Sequence, residues 1–162
     1  METCSLAKIK KDLARLNHDD LVEIVSNMAK FTRDNKMFLY FQIYGKDQPS
    51  LFTEMVLEEL KMEFLKANKG NYFSAKKSAQ GIRRKLNKYL KFTRDKSLHV
   101  ELIAYYCKGL YEFGYLDFAH PVIENIYQLQ IGKMEKILSH MHEDLQFDYQ
   151  GQVEALRSYI RH

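Results

Sequence analysis

The sequence predicts an all-α protein, and three observations support this prediction. Apolar residues recur three or four positions apart along nearly the whole chain, which is the spacing of one face of an α-helix. The 162 residues include only two prolines and seven glycines, so few residues would interrupt helices. No stretch shows a convincing alternation of apolar and polar residues, the pattern of a half-buried strand. We therefore expect seven or eight helices, arranged as a bundle or as an irregular stack of helical hairpins.

Caps and breakers divide the first seventy residues into four predicted helices. Asn17 is a favourable N-cap followed by acids, so it separates the first helix from the second. Gly45 ends an aromatic-rich third helix, and Ser50 is expected to cap a fourth that stops near Gly70. The apolar residues expected to share the inner faces of the first two helices are Leu6, Ile9, Leu13, Leu16, Leu21, Ile24, Val25, Met28 and Phe31.

Four further helices are predicted after residue 70. Ser74 is expected to begin the fifth helix, and Ser97 to cap the sixth, which Gly114 ends. The seventh begins near Pro121, since proline is tolerated in the first turn of a helix, and a last helix covers about 149–160. The residues expected to form the inward stripe of the fifth helix are Ala75, Ala79, Ile82, Leu86, Tyr89 and Thr93.

The length and composition favour one domain over residues 1–162. Apolar residues make up 46% of the chain and charged residues 28%, which is a globular profile. The first thirty residues lack a secretory signal, and no run approaches the ~18 apolar residues of a membrane span. We therefore expect a cytoplasmic protein with no membrane span. Cys4 and Cys107 are too few for a disulfide framework and are expected to be reduced.

One five-residue segment occurs twice. The residues at 30–34, Lys-Phe-Thr-Arg-Asp, recur identically at 91–95, and both copies lie between predicted helices. The repeat has two interpretations. It is a trace of a duplicated two-helix unit, or it reflects independent selection of residues that suit the end of one helix and the cap of the next.

The positive charge of the chain is concentrated in one segment. Residues 61–100 contain twelve Lys or Arg and two acids, a net charge of +10, whereas the whole chain has a net charge of +4. The fifth predicted helix, about 74–94, carries eight of these bases: Lys77, Arg84, Lys88 and Lys91 lie opposite its apolar stripe, and the other four lie along its edges. The residues expected to contact an anionic partner are Lys77, Arg84, Lys85, Lys88 and Lys91.

This basic helix also has two interpretations. It is an anion-binding face, for nucleic-acid phosphates, an acidic protein or acidic lipid headgroups. Alternatively, it is a solvated helix whose charge is matched by acidic residues of the C-terminal helices. The case for nucleic acid is incomplete, because the basic face lacks interleaved aromatic residues on which bases could stack. The nearest aromatic residues are Tyr72, Phe73 and Tyr89, and Tyr89 belongs to the apolar stripe.

Residue patterns that would indicate catalysis or metal binding do not stand out. His140 and Asp144 have the i,i+4 spacing of helical metal ligands, but His142 faces elsewhere and no third ligand can be named. No nucleotide-binding glycine loop or nucleophile motif occurs. We therefore predict no catalytic residue, no metal site and no cofactor.

Several stretches resemble a known group of proteins. These stretches are 6–16 and 20–25, the aromatic third helix ending at Gly45, the basic start of the fifth helix at 74–77, and the tail at 151–159. Together they are similar to a family of small uncharacterised helical proteins from Bacteroidetes-type bacteria. The resemblance implies an all-α domain and supplies no catalytic residue to transfer.

The function expected from the sequence is that of a non-enzymatic interaction module whose basic helix binds an acidic protein or a nucleic acid. Two alternatives remain open. One is an enzyme or small-ligand binder with a pocket between helices. The other is a structural homo-oligomer that assembles through the aromatic third helix, which contains Phe38, Tyr40, Phe41 and Tyr44.

Overall fold

The computed structural model describes residues 4–160, and within this range it contains eight α-helices, one short 3₁₀ helix and no strand. The prediction of an all-α fold is confirmed. The helices are α1 (Leu6–Leu13), α2 (His18–Phe31), α3 (Arg33–Tyr44), α4 (Pro49–Lys66), α5 (Tyr72–Leu90), α6 (Lys96–Glu112), α7 (Pro121–Leu138) and α8 (Glu143–Ser158), with the 3₁₀ helix at Leu116–Phe118.

Contacts along the chain form two compact units, Met1–Gln48 and Pro49–His162. Their described parts, 4–48 and 49–160, are called the N-terminal unit and the C-terminal unit. A single domain over 1–162 stays a prediction, and each unit is described by itself.

The N-terminal unit consists of α1, α2 and α3, each begun by a polar N-cap. The side chains of Ser5, Asn17 and Thr32 accept hydrogen bonds from backbone N–H groups in the first turn of their helices. Helix α2 packs against α3. The Asn35 side chain reinforces this pair by donating to the Met28 carbonyl at 2.9 Å.

The apolar faces of α1 and α2 are less covered than the sequence predicts. Neither helix contains a buried residue within the described range, and Phe31 is 82% exposed. Three short helices have too little volume to enclose a core of their own, because small chains bury a smaller fraction of their surface. The expected inner faces therefore remain partly open to solvent.

Helix α6 is the centre of the C-terminal unit and packs against α4, α5, α7 and α8. Hydrogen bonds from buried tyrosines join the surrounding helices. Tyr106 of α6 donates to the Ala79 carbonyl at 2.7 Å, and Tyr127 of α7 donates to the Leu156 carbonyl at 2.6 Å. Cys107 is also buried in α6, where burial raises the pKa of its thiol to about 12, so the thiol stays protonated. The buried residues of α6 are Val100, Leu102, Ile103, Ala104, Tyr106, Cys107, Gly109 and Leu110.

Helix ends differ from the predicted ends where an unexpected side chain forms the cap. Asp95, not Ser97, caps α6 by accepting from two backbone N–H groups. His142 caps α8 through Nδ1, which accepts from the Asp144 N–H at 3.2 Å. Helix α8 therefore begins at Glu143, several residues earlier than expected, and α7 ends at Leu138.

None of the helices between residues 4 and 160 is long and apolar enough to cross a membrane.

Candidate cationic interface

The orientation of α5 is set by the apolar stripe that the sequence predicts. Asn71 caps the helix by accepting from the Ser74 N–H at 3.0 Å. The buried residues of α5 are Ala75, Ala79, Ile82, Leu86 and Tyr89, and Thr93, after the helix, is half-buried. At about 100° per residue, the opposite side of the helix carries Lys77 and Arg84, and Lys91, the C-cap residue with helical backbone angles, continues their line. All three of these residues are exposed.

We call Lys77, Arg84 and Lys91 the cationic strip. Successive members lie about 10 Å apart along the axis, because seven residues of α-helix rise by that distance. Among residues 4–160, no carboxylate forms an ion pair with any of the three. Arg94 and Lys96 follow at the turn into α6 and are also exposed. The strip is therefore an open cationic surface.

Gly81 lies beside this strip. A methyl group at this position would lie 3.7 Å from Nη2 of Arg84, so the guanidinium group extends back along the helix over the glycine.

Lys85 does not belong to the strip, although the sequence groups it with the anion-binding residues. Its ammonium group lies 2.8 Å from a Glu63 carboxylate oxygen and 3.7 Å from one of Glu59, both on α4. Burial alone would raise the pKa of Glu63, but hydrogen bonds from Lys66 and Lys85 lower it below the ordinary value. The ion pairs of Lys85 therefore join α5 to α4, and its charge is neutralised within the chain.

Lys88 lies at the edge of the strip. It is half-buried, and its Nζ atom lies 5.0 Å from the centroid of the Tyr89 ring. The Tyr89 hydroxyl in turn donates to Glu59 of α4. We therefore treat Lys88 as a flanking residue that adds positive potential, and we assign the contacts with an anionic ligand to the three exposed residues of the strip.

An acid of the C-terminal helices pairs with a base outside α5. Glu135 of α7 accepts two hydrogen bonds from the Arg157 guanidinium of α8, at 2.6 and 2.5 Å. These bonds lower the pKa of Glu135 and raise the pKa of Arg157, so both groups stay charged. This pair joins α7 to α8. Within residues 4–160, no acid of α6, α7 or α8 forms an ion pair with Lys77, Arg84 or Lys91, as the second interpretation of the basic helix would require.

Exposed aromatic rings lie at the N-terminal end of α5. Tyr72 stacks on Phe73, with ring centroids 4.1 Å apart, and on His120, with centroids 5.0 Å apart. His120 caps α7 through Nδ1, which accepts from the Val122 N–H at 3.2 Å. The Lys76 ammonium group lies 5.7 Å from the centroid of the Phe73 ring. We call Tyr72, Phe73 and His120 the aromatic stack.

Sequence reasoning noted Tyr72 and Phe73 as neighbours of the basic face but did not predict the stack. The missing member, His120, belongs to the start of α7, and only the packing of α5 near α7 brings it to Tyr72. The signal available in the sequence was two adjacent aromatic residues at a helix start, which is compatible with core packing as well as with exposure.

A groove of about 530 Å³ lies between α7 and α8. Its lining includes Glu135 and Arg157, which neutralise each other, and the exposed ring of Phe147. Groups held in their charged forms by a mutual ion pair are poor proton donors and acceptors near neutral pH. The groove therefore supports an enzymatic function less strongly than the strip supports an anion-binding function.

The histidines before α8 form hydrogen bonds at the ends of helices. His140 Nδ1 lies 2.8 Å from the Lys136 carbonyl, and His142 caps α8. In the part of the chain that the structure describes, no group of three or more His, Cys, Asp or Glu side chains is placed to hold a metal ion.

Comparisons of this chain with models of protein families, with curated proteins and with solved structures found no match.

Proposed function

We propose that this protein is a non-enzymatic interaction module that binds a polyanionic partner through the cationic strip of α5. The observation that carries the proposal is the arrangement of Lys77, Arg84 and Lys91 on one exposed line, without an ion pair to any of them in residues 4–160. A row of open cations attracts a ligand with regularly spaced negative charge and increases its rate of association.

The stability of the fold does not account for this arrangement. Like charges four residues apart on a helix, such as Arg84 and Lys88, destabilise it by about 0.2–0.5 kcal/mol per pair. A helix selected for stability alone would carry acids between its bases, as α4 does where Glu63 pairs with Lys66 three residues later. Binding of a polyanion would offset the repulsion between these bases. A binding function therefore accounts for an arrangement that stability alone does not favour.

The test is the triple variant Lys77→Glu, Arg84→Glu and Lys91→Glu, with binding to fluorescent heparin and to a fluorescent oligonucleotide measured by anisotropy. We expect the wild-type protein to bind at low salt and the variant to lose at least about tenfold in affinity, because three attractive charges become repulsive. Circular dichroism should show that the variant stays helical, since all three side chains are exposed.

A matched control changes the same total charge elsewhere. Lys46, Lys61 and Lys133 are exposed residues outside α5, and replacing all three by Glu should weaken binding much less than the strip variant does. Equal losses in the two variants would show that only net charge matters and would refute a binding strip.

A second proposal concerns the N-terminal unit, which we propose self-associates through the aromatic residues of α3. Phe41 is buried, but Phe38 is 39%, Tyr40 47% and Tyr44 51% exposed. The Tyr40 and Tyr44 rings are adjacent, with centroids 4.8 Å apart, and adjacent exposed aromatic residues are typical of interaction surfaces. Sedimentation velocity should show a concentration-dependent dimer that Tyr40→Glu with Tyr44→Glu disrupts. A wild-type protein that stays monomeric at high concentration would refute this proposal.

A further inference from the structure

We infer that the polyanionic partner is a single-stranded nucleic acid, whose phosphates follow the cationic strip while a base stacks on the aromatic stack. This inference rests on the proposed function and specifies its ligand. It joins two features that lie next to each other on α5, namely a line of open cations and exposed rings at the start of that line.

The Phe73 ring and the cations share one side of the helix. Phe73 and Lys91 are separated by five full turns at about 100° per residue, so they have the same angular position, and Lys77 and Arg84 lie close to that line. The line extends about 27 Å from Phe73 to Lys91 at the rise of an α-helix. A ligand lying along this side of α5 would therefore contact both features.

The aromatic stack is arranged before any ligand binds. Tyr72 is held between Phe73 and His120, and the cap that His120 forms on α7 fixes the third ring. Phe73 is 59% and Tyr72 41% exposed, so ring surface remains available. The Lys76 ammonium group lies over the Phe73 ring, 5.7 Å from its centroid, so the stack already carries positive charge. An ordered ring loses little conformational freedom when a base stacks on it.

The chemistry of the two features together favours a single strand over the other polyanions. An acidic protein would satisfy the cations but has no general need for flat exposed rings. In a duplex the bases are already stacked on one another and are not free to cover a side chain. A single strand offers phosphates and unstacked bases at once, and cationic grooves with aromatic platforms are the common way to bind it.

The experiment compares wild-type protein with Phe73→Ala and with a matched control, Phe147→Ala, which removes an exposed ring from α8. The probes are a single-stranded DNA of about 12 nucleotides, the corresponding duplex, and heparin. We expect Phe73→Ala to weaken single-strand binding by about fivefold or more, the loss of one stacked base, and to leave heparin binding unchanged. Phe147→Ala should leave both unchanged, and Phe73→Trp should restore or increase single-strand affinity.

The outcomes separate this inference from the proposal beneath it. Binding of heparin without binding of the single strand would overturn the inference and leave the proposed function standing. Equal affinity for single strand and duplex, with no effect of Phe73→Ala, would also overturn the inference, since stacking would then contribute nothing. Failure to bind any of the three probes at low salt would overturn both.

Discussion

At the scale of single residues, Gly109 shows how closely the C-terminal unit is packed. It is buried in α6, and a methyl group at its position would overlap the ring of Phe64 from α4. That ring is 1% exposed and is confined by Phe113, stacked at 5.2 Å, and by Tyr115, edge-on at 5.9 Å. The missing side chain at Gly109 is what allows α6 and α4 to approach each other.

We predict that Gly109→Ala and Gly132→Ala have opposite effects on stability. Gly109→Ala should destabilise the protein by about 1–3 kcal/mol, because the buried Phe64 ring has no free space into which to move. Gly132 lies in α7 with nothing within 4 Å of an added methyl group, so its replacement should stabilise by up to about 1 kcal/mol through helix propensity alone. Urea unfolding followed by circular dichroism would measure both, and a shift of the two variants in the same direction would contradict this account.

Glu63 gives a prediction about pH. Its pKa is lowered below the ordinary value of 4.5 in the folded chain, and such a group stabilises the fold above its ordinary pKa and loses that effect as the pH falls through the lowered value. We expect Glu63→Gln to be less stable than wild type at pH 7 by about 1 kcal/mol or less, the usual range for a pair of this kind.

The difference should disappear in acid, where Glu63 is protonated in both states. The measurement is the thermal midpoint of wild type and Glu63→Gln from neutral to acid pH. Glu54→Gln, an exposed position on the same helix, serves as the control and should show no such trend. A stability gap that stays constant across this range would mean that the Glu63 charge contributes nothing to the α4–α5 contact.

At the scale of helices, α5 combines a predictable core side with a cationic side that lowers its stability. We predict that Arg84→Glu stabilises the protein by about 0.5 kcal/mol, because a repulsive pair with Lys88 becomes an attractive one with the acid on the N-terminal side. The same change should weaken polyanion binding. Thermal unfolding and anisotropy measure the two effects, with Arg84→Gln expected to be intermediate in both. A loss of stability in Arg84→Glu would show that Arg84 has a structural role.

The repeated segment shows that one sequence is used in two ways. In the first copy Thr32 caps α3, with its hydroxyl accepting from the Asn35 N–H at 3.0 Å. In the second copy Asp95 caps α6, and the Thr93 hydroxyl accepts from the Asp95 N–H instead. Since equivalent residues have different roles, this difference favours independent selection of helix-end residues over a duplicated unit.

The sequence predicts helices well here because periodicity and caps are local properties. The inward stripe of α5 is an example, since the five buried residues of the helix are all among those expected. The bond between Lys85 and Glu63 was not predictable in the same way, because it joins residues of two helices and depends on how α4 packs against α5. The position of His120 beside Tyr72 has the same cause.

The apolar faces of α1 and α2 show a different limit of sequence reasoning. Their spacing predicts the helices correctly, but periodicity indicates only that a face is apolar and not what covers it. The same apolar spacing therefore occurs whether a helix face is buried or, as here with Phe31 82% exposed, partly open to solvent.

At the scale of the whole molecule, some positive charges form ion pairs within the chain and others remain exposed. The segment 61–100 has a net charge of +10 in a chain of net charge +4. Part of it is paired within the C-terminal unit, where Lys66 and Lys85 both contact Glu63 and Lys85 joins α5 to α4, and part remains open on the strip. The account therefore predicts an electrostatic interaction that depends on position and not only on total charge.

The most direct test is the salt dependence of binding to a single-stranded oligonucleotide. If the three strip residues each neutralise a phosphate, the logarithm of the association constant should fall against the logarithm of salt concentration with a slope of about −2 or steeper. In the triple variant Lys77→Glu, Arg84→Glu and Lys91→Glu, binding should be lost or its slope should approach zero. Wild-type protein that does not bind at low salt, or a variant with the affinity and slope of wild type, would contradict an open cationic strip as the binding surface.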